Sequence, residues 1–453
     1  MKFTKFGKAL LMGALLVGAI CGVTSCVESY TVGFLYVTGT VTAQSGNNGI
    51  ITGFKIDHNT GRLAQINGLP VSSGGANPVR AVLISGSRFL YVLNRGVNSA
   101  GSGDCTTADP CENSNITQFA VGGNGILTPQ ETFYTQGVNP FRLIGDTTGT
   151  YLLVLDHDSP SNAACAEALG KSVTACGDIT IFSINQTTGR LSLVLNAQVT
   201  ASSGQPLTFF PVPANPIDFV MTPGYVLTLT GTPTTGDYVF PYGYSGTSGQ
   251  LTVSQNSSQP LTNDGNPNGL VDNATAIINT SGVIYVLDNE PITIPSGGTF
   301  TADVYPSQIL PFTLGSSGAL QADTGGIIPD DSTLSNPIQM LVESKSKYLY
   351  VANQGNNVTG NNPESGIAGY YINTVPAYQL SFLPGEPFGS GSGPQCIVED
   401  PSDQYIYEAN LYDSSITGRA LQVTSGELLD LQSTSTYTLP GPATWCLIDG
   451  RTG

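Results

Sequence analysis

Short apolar runs recur along the whole chain, each bounded by Gly, Pro, Asn, Asp or Ser, the pattern of strands joined by turns. One run is written seven times: "GFLYVTGT" from 33, "SRFLYVLNRG" from 87, "TYLLVLDHD" from 150, "GYVLTLTG" from 224, "GVIYVLDNE" from 282, "KYLYVANQG" from 347 and "QYIYEANLY" from 404. A second run precedes it and opens with Pro in most copies: "PVRAVLISGS", "PFRLIGDTTG", "PIDFVMTPG", "PIQMLVESKS" and "PQCIVEDPSD", with "NATAIINTSG" as a Pro-less version. A third run carries an internal aromatic in most copies, as in "NITQFAV", "DITIFSI" and "QILPFTL", although the seventh, "TGRALQV", lacks it. A fourth follows a Gly turn, as in "TGRLAQI", "TGRLSLV" and "SGELLDL", whereas "AYQLSFL" lacks the Gly.

Each period therefore predicts four strands joined by short turns, an antiparallel meander. One such sheet cannot cover both of its faces, but sheets packed face to face around an axis can. The two ends fix the closure. The first LYV run, at Phe34, has no Pro-led strand before it, and the last such strand, "PATWCLIDG" from Pro442, has no LYV run after it. Joined in one blade, they leave no unmatched edge. The expectation is an all-β, seven-bladed β-propeller of four-stranded antiparallel blades, closed by the N- and C-terminal strands. The 453 residues would otherwise suggest about three domains, but a repeat array grows as one body.

The repeat Pro…LYVxN…F…TGxL resembles the YVTN-repeat, seven-bladed propellers of the lactonase family, which includes propeller-type 6-phosphogluconolactonases and carboxymuconate lactonizing enzymes. The resemblance covers residues 34 to 450. It implies the fold strongly and any single activity weakly, because one fold hosts unrelated functions.

Composition agrees with strands and turns: 55 Gly, 29 Pro and only 10% charged residues. Residues 1–25 read as a lipoprotein signal peptide, with Lys2, Lys5 and Lys8 ahead of "ALLMGALLVGAI". Its end, "VTSC", resembles a lipobox, which makes Cys26 the lipid anchor and residues 26–33 a linker to the propeller at 34–453. Val27 after the anchor favours the outer membrane by family analogy, so the protein is expected in the cell envelope, as a monomer. Removing residues 1–25 takes away three lysines and no acid, leaving 12 basic against 32 acidic residues, a formal −20. Such a surface repels phosphate backbones, which argues against nucleic acid as a partner.

Six cysteines remain, an even number in an exported chain. Cys105 and Cys111 flank one loop and Cys165 and Cys176 bracket another, so both pairs read as local disulfides. Cys396 and Cys446 fall on inner strands of consecutive blades, where they are either a third bridge or two buried small hydrophobes. With no CxxC and two histidines, a zinc site is not supported. "DGNPNGLVD" matches the opening of a calcium loop through Asp264, Asn266, Asn268 and Asp272, but Thr275 stands where a bidentate Glu is needed.

The functional residues are expected at one mouth of the channel, where the Pro-led strand starts and the LYV strand ends. The residue two after the Pro gives one ring: Arg80, Arg142, Asp218, Ala274, Gln339, Cys396 and Thr444. The strand ends give a second: Asn94, Asp156, Gly231, Asp288, Asn353, Asn410 and Gly39. Arg80 and Arg142, from adjacent blades, would grip a carboxylate or phosphate. Asp218 or His157 would act as a base toward a lactone carbonyl. The resemblance implies a His and an Arg beside a Pro-led strand, yet no Pro-led strand here carries a histidine. Two functions fit: a ligand-binding or scaffolding propeller, for a small molecule, sugar lactone or surface protein, and a cofactor-independent lactone hydrolase. An exported chain fits an unphosphorylated lactone better than the phosphorylated sugar of the cytosol.

Overall fold

A computed structural model describes residues 30–450 except 42–47, 85–87, 202, 232–235, 254–258, 262–270, 281, 294–303, 323–327, 357–363, 376 and 433. The signal segment and Cys26, and three of the four calcium-loop residues, Asp264, Asn266 and Asn268, lie outside the described residues. The architecture is the expected seven-bladed propeller. Blade 1 runs Pro78–Leu83, Phe89–Asn94, Asn115–Val121 and Leu127–Phe133, in sheet order from the axis outward. Blades 2 to 6 begin at Val138, Pro216, Ala274, Pro337 and Pro394 and repeat that order. Blade 7 takes its innermost strand, Ala443–Asp449, from the end of the chain and pairs it antiparallel with Thr31–Thr40 from the beginning. Short fifth strands extend five of the blades.

The alternating faces of the strands build a core cluster between successive blades. Between blades 6 and 7, Tyr407, Ala409 and Ile416 pack on Leu35, Val37 and Phe54. The LYV tyrosines do more than fill space. Tyr36, Tyr91, Tyr350 and Tyr407 are fully buried, and each hydroxyl donates to a glycine carbonyl in the outer turn of the next blade. The acceptors are Gly125 at 2.8 Å, Gly189 at 2.6 Å, Gly426 at 2.6 Å and Gly61 at 2.6 Å. A buried Tyr needs such a partner, and here the partner sits across the inter-blade seam. The repeated aromatic and the repeated TG turn are thus two halves of one staple.

All three cysteine pairs form disulfides: Cys105–Cys111, Cys165–Cys176 and Cys396–Cys446. The last joins the inner strands of blades 6 and 7 and fastens the seam where the chain ends meet. The insertion at 157–177 differs from the expected all-β pattern. It holds a helix, Asn162–Leu169, whose N-cap Ser161 accepts from the Ala164 N–H at 3.2 Å. The Ala-rich "NAACAEAL" favours a helix once a serine caps it.

Candidate functional site

Register decides which side chains reach the mouth. In every blade a bulge interrupts the pairing of the two inner strands, so Pro78 opposes Asn94 while Arg80 opposes Leu93. The residue two after the Pro therefore does not sit beside the strand-end Asn. The same register places Thr230, not Gly231, at the strand end of blade 3. It places Ala276, not Ala274, at the Arg80 position of blade 4, and Trp445, not Thr444, at that of blade 7.

The strand-end Asn and Asp residues do not line the mouth. Asn94, Asp156, Asp288, Asn353 and Asn410 are fully buried within their blades. Asn94 donates to the Ser73 carbonyl at 3.0 Å and to Asn115 Oδ1 at 3.0 Å, tying an incoming loop to the strand. It is the next residue along, Arg95 or His157, that turns to the mouth.

A cavity of about 300 Å³ opens there, between blades 1, 2, 6 and 7. Its wall combines Arg80 and Arg142, the bulge residues Val79, Phe141, Gln395 and Thr444, and the residues beyond the strand ends, Arg95, His157 and Leu411. Three of eight arginines thus meet in one cavity. Arg80 lies over the Trp445 ring, 3.9 Å from its centroid, and donates to its neighbour's carbonyl, Val79 O, at 2.9 Å. Trp445 is itself fixed by donating from Nε1 to Ala81 O at 3.1 Å. Arg142 pairs through Nε with Asp218 Oδ1 at 3.0 Å.

Asp218 stands one blade further round and is not on the cavity wall. Its Oδ1 also accepts from the Phe219 N–H at 3.0 Å, and its Oδ2 accepts from the Ile277 N–H at 3.2 Å. Both oxygens are engaged, which makes it the counter-ion of Arg142. His157 is on the wall, about one-third exposed, with Nδ1 3.6 Å from Asp158 Oδ2. Its ring is tilted against Phe141.

Arg95 is the cavity residue that sequence reasoning missed. It donates through NH2 to Cys105 O at 3.3 Å, and among the described residues its Nε has no hydrogen-bond partner. The signal was present: it directly follows the strand-end Asn94, as His157 follows Asp156. Burial pushes the Arg80 guanidinium well below its ordinary pKa, the Arg142 charge adds to that, and Asp218 opposes it. Arg95 is lowered too, first by burial and then by Arg142. In both, burial is the larger cause and the neighbouring guanidinium the smaller, with Asp218 opposing the shift at Arg80 and Asp104 and Asp158 opposing it at Arg95.

On the opposite side of the mouth four amides join in a chain. Asn289 donates to Asn336 at 3.3 Å, Asn336 to Gln354 at 3.0 Å, and Gln354 to Gln395 at 2.7 Å, an amide chain ending at the cavity edge. Among the described residues no group of three or more His, Cys, Asp or Glu is placed to hold a metal ion.

Fold and site together define a seven-bladed propeller with a cationic cavity at one mouth. Residues 47–209 match the family model described as Lactonase, 7-bladed beta-propeller, so the family resemblance carried by the repeats is borne out. Solved structures similar to the chain include a periplasmic gluconolactonase from Pseudomonas aeruginosa, 14% identical with a TM-score of 0.60, over 92% of this chain and 98% of that one. A candidate 6-phosphogluconolactonase from Bacteroides uniformis is 15% identical with a TM-score of 0.61, over 92% of this chain and 100% of that one. At these identities the likeness is one of fold. No curated protein matches the chain.

Proposed function

We propose that the protein is an envelope-anchored propeller that binds a small organic anion, a sugar acid or its lactone, in the three-arginine cavity. The observation that carries this reading is the convergence of Arg80, Arg95 and Arg142, with one directly paired carboxylate, on a 300 Å³ cavity in an acidic protein. That volume is at the lower end for ligand pockets and suits a molecule of sugar size. Guanidinium groups match a carboxylate bidentately. The family match and the likeness in fold to a periplasmic gluconolactonase support the same ligand class. Export by residues 1–25, acylation of Cys26 and a monomeric state complete the reading, with an unphosphorylated ligand met outside the cytosol.

A second reading is lactone hydrolysis, favoured by His157 on the same wall. There His157 would take a proton from water attacking the lactone carbonyl, and the arginines would stabilise the resulting oxyanion. Asp218 would hold Arg142 in place, and no cofactor is required. Residues 27–453 titrated calorimetrically with D-gluconate should show binding that drops at least tenfold in Arg80→Ala/Arg142→Ala. Undiminished binding in that variant would remove the proposed site. Turnover of D-glucono-1,5-lactone above the spontaneous rate, lost in His157→Asn while gluconate binding persists, would select the hydrolase.

A further inference from the structure

Beside the cavity the chain makes an insertion, residues 97–114, closed by Cys105–Cys111. The insertion is knit internally by the Val97–Glu112 bridge. Asn98 Oδ1 also accepts from the N–H groups of Ala100 at 3.1 Å and Ser102 at 2.9 Å. It is docked onto blade 2 by one buried residue, Asn139, held at φ 58°, a conformation asparagine tolerates. Asn139 Oδ1 accepts from the Cys111 N–H at 2.7 Å, and its Nδ2 donates to Thr106 O at 3.3 Å and to Asp158 Oδ2 at 2.8 Å. Thr107 Oγ1 donates to the other Asp158 oxygen at 2.7 Å.

The loop thus reaches two cavity side chains by separate routes. Cys105 O accepts from Arg95 NH2, while the docking contacts fix both oxygens of Asp158, the carboxylate nearest His157 Nδ1. Among the described residues the Arg95 guanidinium makes no other hydrogen bond and no ion pair, although Asp104 and Asp158 act on its charge from further away. A carbonyl is a weaker hold than a carboxylate, so the guanidinium is oriented without being neutralised.

We propose that the 97–114 loop is the specificity element of the cavity: closed by Cys105–Cys111 and docked through Asn139 and Thr107, it positions Arg95 toward the anion and, through Asp158, orients His157. This rests on the anion-binding reading. The loop residues themselves are positioning residues.

The test is a double-mutant cycle with D-gluconate as the probe, and inorganic phosphate as a second anion. Residues 27–453 would carry Cys105→Ser/Cys111→Ser, Arg95→Gln, or all three changes, with affinity read by calorimetry and folding by Tm. Opening the loop should weaken gluconate about tenfold, and Arg95→Gln about as much, the effect of one charge-assisted hydrogen bond. The combined variant should be at most about threefold weaker than Arg95→Gln alone, because the loop acts mainly through that residue and only the Asp158 route remains to be lost. Thr107→Val keeps the disulfide and should weaken gluconate about threefold, a modest positioning loss; it decides the matter if the cysteine variant does not fold. A lower Tm with unchanged affinity, or losses that add in the cycle, would overturn the loop's role and leave the anion site standing. A wild-type protein that binds neither gluconate nor phosphate would instead remove the anion reading, and this proposal with it.

Discussion

In blade 1, Asn94, Asn115 and Thr117 share a buried hydrogen-bond network at the strand end; in blade 2, Asp156, Asp178 and Thr180 hold the same three places. The amides of blade 1 supply both donors and acceptors, so the network closes on itself and carries no charge at any pH. Ser73 adds a hydroxyl that donates to Asn94 Oδ1 at 2.6 Å. The acids of blade 2 supply acceptors unless one is protonated. Thr180 Oγ1 lies 3.2 Å from Asp156 Oδ2 and 3.4 Å from Asp178 Oδ1, and neither acid takes part in an ion pair among the described residues. Burial is the first cause raising both, Asp156 to about 7 and Asp178 well above its ordinary value, where the Asp156 charge adds to the burial. Both directions favour a pair that holds a proton at neutral pH, which the exchange below tests. One scaffold position thus accepts neutral or titrating chemistry, and the difference lies directly behind Arg95 on one side and His157 on the other.

Making blade 1 resemble blade 2 should have the largest effect. Asn94→Asp removes the donors to Ser73 O and Asn115 and adds a buried acid, with an expected loss of about 3–5 kcal/mol at pH 7. The loss should shrink toward pH 4, where the new acid is protonated; a urea midpoint that falls equally at both pH values would contradict this account. The reverse exchange, Asp156→Asn/Asp178→Asn, should stabilise. A carboxyl raised in the folded state contributes stability that is present below the unfolded pKa, near 4, and lost as pH rises through the folded value, near 7. For Asp156 that swing is roughly 4 kcal/mol at most. The double variant should match the wild type near pH 4 and exceed it above pH 7, as read from Tm against pH; a parallel pair of curves would refute the shared-proton picture.

The smallest effect concerns the staple between these two blades. Tyr91 of blade 1 reaches Gly189 O in blade 2, whereas blade 2 has Leu153 at that position and instead reaches blade 3 from Tyr151, whose hydroxyl donates to Thr247 O at 3.1 Å. Tyr91→Phe leaves a buried carbonyl unpaired and should cost about 1–2 kcal/mol with binding unchanged, while Leu153→Phe offers no hydroxyl to lose. A Tyr91→Phe protein as stable as the wild type would demote the staple to packing.

The ring was legible because its signals are local and repeated: apolar runs, turn glycines and two unmatched strands at the ends. The short-range disulfides were legible for the same reason, whereas Cys396–Cys446 stayed open between a bridge and two buried hydrophobes until the structure placed their Cα atoms 5.8 Å apart. The site was half legible. Arg80, Arg142 and His157 were found and do meet in one cavity, but Arg95 was not. Arg95 was passed over because the strand-end Asn, not the residue after it, was taken to face the mouth; the inner-strand positions failed at the bulge at Val79 and its counterparts, which shifts the pairing by one residue. A spacing rule read from sequence cannot see a bulge, so Ala274 and Thr444 were assigned to places that Ala276 and Trp445 occupy. The burial of Asn94 and Asp156 was hidden as well, since a polar strand end reads as a surface turn until the covering loop is known.

The pairing of Ala443–Asp449 with Thr31–Thr40 has a consequence for how the protein comes into being. Gln395 and Thr444 emerge from the ribosome hundreds of residues after Arg80, yet all three border the same cavity. Six blades can assemble as the chain is made, but the cavity has only part of its wall until the final strand docks against the first. On the proposed reading, binding competence arrives in a single late step, and a nascent or prematurely ended chain carries most of the propeller and none of its complete cavity.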